Sequence, residues 1–140
     1  MAVFYHFNDV RATLRERRRL GVFLDQVFLE HGKKLKRLDY IFCSDNFLWK
    51  INQQYLDHDT YTDIITFDLT EDAGGVLGEI YISVDRIREN AAEFGVRFEE
   101  ELHRVIFHGV LHLCGFGDKK APEKKIMRQK ENELLRRYFN

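Results

Sequence analysis

Two histidines, His108 and His112, stand four residues apart in the segment HGVLHLCGFGD, and an aspartate, Asp118, closes it. On a helix that spacing puts both imidazoles on one face with Cβ atoms about 5–6 Å apart, close enough to share one cation. An HxxxH pair alone is commonly structural, but here Gly115 lets the chain leave the helix and Gly117 keeps the turn tight, so that Asp118 folds back beneath the pair. The pattern HxxxHxxGxxD matches the three-ligand arrangement of many zinc hydrolases, which leave a coordination position open for water. The reading is one zinc ion held by His108, His112 and Asp118. Cys114 is a soft donor that could compete with Asp118, although directly after Leu113 its expected place is the core.

Gly109 follows the first histidine, where zinc peptidases of the HExxH type carry the glutamate that deprotonates water, so peptidase chemistry lacks its general base. A glycine inside a helix costs about 1 kcal/mol against alanine, which implies close approach by substrate or by a neighbouring element. His103 lies five residues before His108, about 140° around the helix, and reads as a surface or supporting group. His58 sits in a polar turn from which it could approach the site.

The elements that must position these groups can be read from periodicity. Residues 2–7 and 37–43 read as short aromatic-rich strands, with an amphipathic helix between them carrying Leu20, Phe23, Leu24, Val27 and Phe28 and stopping at Gly32. Ser44 caps a further helix in which Phe47, Leu48, Ile51 and Tyr55 share a face, and the polar turn DHDTYTD leads into the strand IITFDL. After the turn at EDAGG come the strand VLGEIYIS, a helix from near Ser83 to Gly95, the helix Phe98–Leu113 that carries both histidines, and a last helix opened by Pro122 and reaching Tyr138. The expected fold is α/β (α+β): one small mixed sheet of about four strands covered by about five helices, with a metal-binding helix and turn, all in a single domain over residues 1–140.

Composition narrows the function classes. The 140 residues carry 22 Lys plus Arg against 23 Asp plus Glu, a net charge of -1, so no bulk attraction to nucleic acid is expected. Charge is nevertheless uneven, at +4 over residues 1–40, -7 over 41–80 and +2 over 81–140. An anionic partner is therefore expected on the first segment, around Arg11, Arg15, Arg17, Arg18 and Arg19 and then Lys33, Lys34, Lys36 and Arg37, unless that run is simply a solvated face. Cys43 and Cys114 form no paired framework, no stretch approaches the ~20 apolar residues of a membrane span, and the first residues do not read as a secretory leader. A reducing, cytoplasmic setting without membrane contact is expected.

Three blocks, INQQYLDHDTYTDIITF (residues 51–67), LGEIYIS (77–83) and HGVLHLCGFGD (108–118), resemble in order and spacing the YbeY family of bacterial endoribonucleases, also called ribosomal RNA maturation factors. The resemblance covers most of the chain from about residue 36. It implies a small sheet with helices around a three-ligand zinc site, metal-dependent hydrolysis of single-stranded RNA, trimming of the 3′ end of 16S ribosomal RNA, and partnership with the small ribosomal subunit or its proteins. The chain departs from the family pattern in three ways. Gly117 and Asp118 stand where the family has an aspartate and a third histidine, Leu56 stands where it has an arginine, and Tyr61 where it has a proline. An aspartate ligand brings negative charge and makes a weaker Lewis acid of the metal, and Leu56 cannot clamp a phosphate.

The proton acceptor stays open among Glu79, Asp63 and Glu101, and Tyr55, Tyr61 and Phe67 are either base-stacking groups or core. Two other classes compete with the nuclease reading. One is a non-haem Fe(II) oxygenase, which shares the two-histidine, one-carboxylate ligand set but usually builds it on barrel strands. The other is a noncatalytic ribosome assembly factor with a structural zinc, which the departures at Leu56 and Asp118 make more credible.

Overall fold

The computed structural model describes residues 2–56, 62–71 and 74–140. The chain runs β1 (Val3–Phe7), α1 (Arg17–Glu30), β2 (Leu35–Cys43), α2 (Asp45–Leu56), β3 (Ile64–Asp68), β4 (Val76–Ser83), α3 (Val84–Phe94), α4 (Phe98–Leu113) and α5 (Ala121–Phe139). The four strands form one sheet in the order β1-β2-β4-β3, parallel except for the antiparallel β3–β4 pair. The expected mixed sheet and five helices are all present. The segment 57–61, which includes His58 and Tyr61, and part of the EDAGG turn lie outside the described residues.

Alternation along the strands sends Leu38, Tyr40, Phe42, Ile80 and Ile82 to the face that α1, α4 and α5 cover, where they form the main core. The other face carries a smaller cluster of Cys43, Leu48 and Ile65, flanked by Phe47, Ile51, Phe67 and Tyr81 and capped by α2. Register fixes which side β3 shows to α4: Ile64, Thr66 and Asp68 pair with Ile82, Ile80 and Gly78 and so share their face.

Local signals set most of the boundaries. The Ser44 hydroxyl accepts from Phe47 N at 3.1 Å, and the Ser83 hydroxyl accepts from Arg86 N at 3.1 Å, capping α2 and α3. Gly95 ends α3 in the left-handed region at φ 69°. The basic run RERRR is not one helical face as expected. Glu16 adopts φ 53°, α1 begins at Arg17, and the following arginines turn back on the protein, with Arg17 over the Phe7 ring at 4.9 Å and Arg19 over the Tyr138 ring at 4.2 Å.

Helix α4 lies directly on the sheet because two glycines remove the side chains that would hold it off. A Cβ on Gly109 would stand 2.7 Å from Ile80 Cδ1, and one on Gly78 would stand 3.0 Å from Leu113 Cδ1. The close approach implied by Gly109 is therefore that of a neighbouring element. Tyr40, fully buried in β2, donates its hydroxyl to the Ile106 carbonyl at 3.0 Å and ties the same helix to the sheet centre.

Candidate metal centre

His108 and His112 leave α4 on the flank beside β3, with ring centroids 4.6 Å apart and planes at 85°. The helix ends at Leu113, Gly115 takes φ 105°, and the chain doubles back so that Asp118 faces both rings. Asp118 Oδ2 lies 3.2 Å from His108 Nε2 and 3.3 Å from His112 Nε2. All three ligand atoms lie within 4.8 Å of one another.

The donor set fits a divalent metal. Ligand atoms bound tetrahedrally at about 2.0–2.1 Å stand about 3.3 Å apart, which is the spacing of Asp118 from each histidine. Each ring also has its other nitrogen occupied. His108 Nδ1 donates to Glu131 Oε2 at 2.6 Å, and His112 Nδ1 donates to the Phe116 carbonyl at 2.8 Å. Acceptors on both Nδ1 atoms hold the protons there and leave both Nε2 lone pairs aimed at the point that Asp118 shares.

Glu131 belongs to a buried chain of charges. Arg104 bonds Glu101 through Nε at 2.8 Å and through Nη2 at 2.5 Å, and reaches Glu131 Oε1 through Nη1 at 3.0 Å. Burial works against ionised Glu131, yet the His108 and Arg104 partners outweigh it and hold its carboxyl below the usual range. Burial likewise opposes charge on Arg104, but its two carboxylate partners outweigh it and raise its pKa above the ordinary value. Arg104 thus ties two buried carboxylates together, and one of those, Glu131, orients a histidine of the candidate metal set.

The ligands open on a cleft of about 710 Å³ between α4, β3 and the end of α2, whose walls include Leu56, Asp63, Thr66, Asp68, Arg104 and Lys119. Burial raises the Asp63 carboxyl above its ordinary value, against the pull of Arg104 and His108. The Thr66 hydroxyl, on the same wall, is buried with no hydrogen-bond partner among the described residues.

Several expectations need correction. Of the three carboxylates weighed as proton acceptor, only Asp63 borders the cleft. Glu79 alternates to the α2 face, where it accepts from the Tyr81 hydroxyl at 3.3 Å, and Glu101 is 2% exposed and bound to Arg104. His103 is neither surface nor support for the site. It is 2% exposed, donates Nδ1 to the Glu99 carbonyl at 2.7 Å and stacks on Tyr138 at 5.3 Å, on the far side of α4. Tyr55 and Phe67 meet edge to face at 6.3 Å on the α2 side of the sheet, so neither borders the cleft. Cys114 packs against the core as expected, its thiol pushed up to about 11 by burial. No arginine of the run Arg11–Arg19 borders the cleft.

The family described as Endoribonuclease YbeY matches residues 12–139. Proteins named Endoribonuclease YbeY include one from Bacteroides thetaiotaomicron, 45% identical over 135 residues, covering 96% of this chain and 98% of that protein. Another, from Flavobacterium psychrophilum, is 48% identical over 128 residues and covers 91% of each. A Thermotoga maritima protein solved in solution is similar over 96% of this chain and 89% of its own, with 26% identity and a TM-score of 0.62.

Proposed function

The chain belongs to the YbeY family of endoribonucleases, which makes it an RNA-cleaving hydrolase, and on that premise we propose that it cuts single-stranded RNA with one zinc ion held by His108, His112 and Asp118. The observation that carries this reading is the convergence of His108 Nε2 and His112 Nε2 on Asp118 Oδ2 in a cleft open to a polymer. The substrate in the cell is the 3′ region of 16S ribosomal RNA on the small subunit. The setting is cytoplasmic, in keeping with the absence, among the described residues, of a helix long and apolar enough to cross a membrane.

A bound zinc supplies Lewis acidity toward a phosphoryl oxygen and makes water a better nucleophile near neutral pH. The chain supplies the rest. Asp63, on the cleft wall beside His108 and Arg104, takes the proton from the attacking water at its carboxylate, and burial makes it a better base than an ordinary aspartate. Lys119, next to the ligand Asp118, is exposed on the same cleft and carries no ion pair among the described residues, so its ammonium is available to a non-bridging phosphate oxygen. It takes over the phosphate contact that Leu56 cannot make.

The test is cleavage of a labelled single-stranded oligoribonucleotide and of the same sequence in duplex, with zinc and with a chelator. Chelator-sensitive cutting of the single strand alone supports the reading. Cutting that survives complete metal removal contradicts it.

A further inference from the structure

Beside the ligands lies a second, smaller groove of about 290 Å³ along α5. His108, Asp118 and Arg104 line both it and the main cleft, so the two depressions meet at the metal centre. The outer wall of the groove is basic, built from Lys124 and Arg128, which stand one helical turn apart on α5. Lys124 is exposed and carries no ion pair among the described residues, and Arg128 reaches only Glu131, at 3.8 Å. These two belong to the stretch 119–130, which holds six basic residues against the single acid Glu123. Besides the shared Arg104 and Asp118, the groove adds two cations and Glu131, whereas the main cleft adds Asp63 and Asp68 against the single cation Lys119. Positive charge is thus concentrated on one side of the ligands, away from the N-terminal run where composition placed it. Lys124 is separated from Tyr138, against which Arg19 packs, by about 21 Å of helix.

We propose that the α5 groove seats the RNA phosphate adjacent to the scissile one, so that the strand enters by the main cleft, crosses Asp118 and leaves over Lys124 and Arg128. This rests on the endoribonuclease reading above and adds a direction for the strand and the residues that hold it. The occupant is an RNA backbone because the groove is continuous with the cleavage site and its free groups are cations suited to phosphate oxygens. Arg104, at the junction, is already committed to Glu101 and Glu131, so the electrostatic seat is made by the two α5 side chains.

The experiment compares zinc-loaded wild type, Lys124→Ala/Arg128→Ala and the charge-conserving Lys124→Arg/Arg128→Lys by steady-state cleavage of a single-stranded oligoribonucleotide across a salt series, with zinc content measured on each. Each phosphate contact to a single strand contributes about 0.7 to the salt slope, so losing two lowers kcat/KM about 25-fold at 0.1 M salt and flattens the slope by about 1.4. Zinc content stays at the wild-type value, kcat at saturating RNA changes little, and the charge-conserving variant keeps most of the wild-type kcat/KM. Arg15→Ala/Arg18→Ala, the same loss of charge on the N-terminal run, which lines neither the cleft nor the groove, changes kcat/KM less than about twofold. Wild-type behaviour of the alanine variant overturns the proposal, as does an equal loss in the charge-conserving variant or in Arg15→Ala/Arg18→Ala. If wild type itself cleaves no RNA, the endoribonuclease reading has failed, an outcome distinct from failure of the groove.

Discussion

The Glu131 carboxylate accepts a 2.6 Å hydrogen bond from His108 Nδ1, so the last helix of the chain sets the orientation of a candidate metal ligand borne by the helix before it. Because the same carboxylate also binds Arg104, the orientation of the His108 ring and the α4–α5 packing are coupled through one residue.

Glu131→Gln keeps the shape and removes the charge, and it is expected to weaken zinc binding about 10- to 100-fold in competition with a chelating indicator. Glu131→Ala leaves the buried Arg104 short of a partner and lowers stability by about 3–5 kcal/mol in denaturant titrations. An indicator titration unchanged in Glu131→Gln would remove the carboxylate from the metal site.

Asp63→Asn is expected to lower kcat on single-stranded RNA by about 10²- to 10⁴-fold while leaving zinc content unaltered, because it removes a proton acceptor and no ligand. A loss of zinc in this variant would show that Asp63 serves the metal instead.

Gly109→Ala gains about 1 kcal/mol of helix propensity but drives a methyl to within 2.7 Å of Ile80 Cδ1 in a closed core. Overpacking of this kind costs about 1–3 kcal/mol, so the variant is expected to be less stable, by a small margin. Ile80→Val removes the obstructing Cδ1. Gly109→Ala made in that background still meets Ile64 Cδ1 and the Cγ2 retained at position 80 at 3.2 Å, so it should cost less than in wild type, as thermal unfolding in the two backgrounds can establish.

Burial lowers the pKa of His103, opposed by its bond to the Glu99 carbonyl and by the charge of Glu99, while Arg19 pushes the same way as burial; Tyr138, Phe107 and Phe139 supply the apolar walls. Since the folded form holds this proton less tightly than the unfolded chain, the neutral ring stabilises the fold above about pH 6.5, and that contribution is lost as pH falls below it. The slope reaches at most about 1.4 kcal/mol per pH unit for one proton. His103→Phe should flatten the fall in stability just below pH 6.5. The acid limb below about pH 4.5 should persist, because it reports carboxylates such as Glu131 and Asp39, whose pKa values are held low by their cationic partners.

The fold was legible because its signals are local. Ser44, Ser83 and Gly95 mark helix ends by their own chemistry, and alternation in VLGEIYIS fixes both faces of β4. The convergence of His108, His112 and Asp118 was legible because one helix and one turn carry all three. Glu131 was not, because the ring it orients lies on another helix. The available signal was its place in the stripe Met127, Glu131, Leu134 and Tyr138, all buried on α5, where a carboxylate requires a partner. His103 was open to the same argument, since Ile106, Phe107 and Val110 follow it at core spacing. The basic run at Arg15–Arg19 lies away from the cleft, which composition could not tell, because it locates charge along the chain and says nothing of which charges border the site.

The most direct test of the metal-centre account is to measure zinc content and cleavage of a single-stranded oligoribonucleotide on the same preparations of wild type, His112→Ala and Asp118→Ala. The account predicts one zinc per wild-type chain, with zinc and cleavage lost together in His112→Ala, which still unfolds cooperatively. Folded variants that retain wild-type cleavage without bound metal would contradict it.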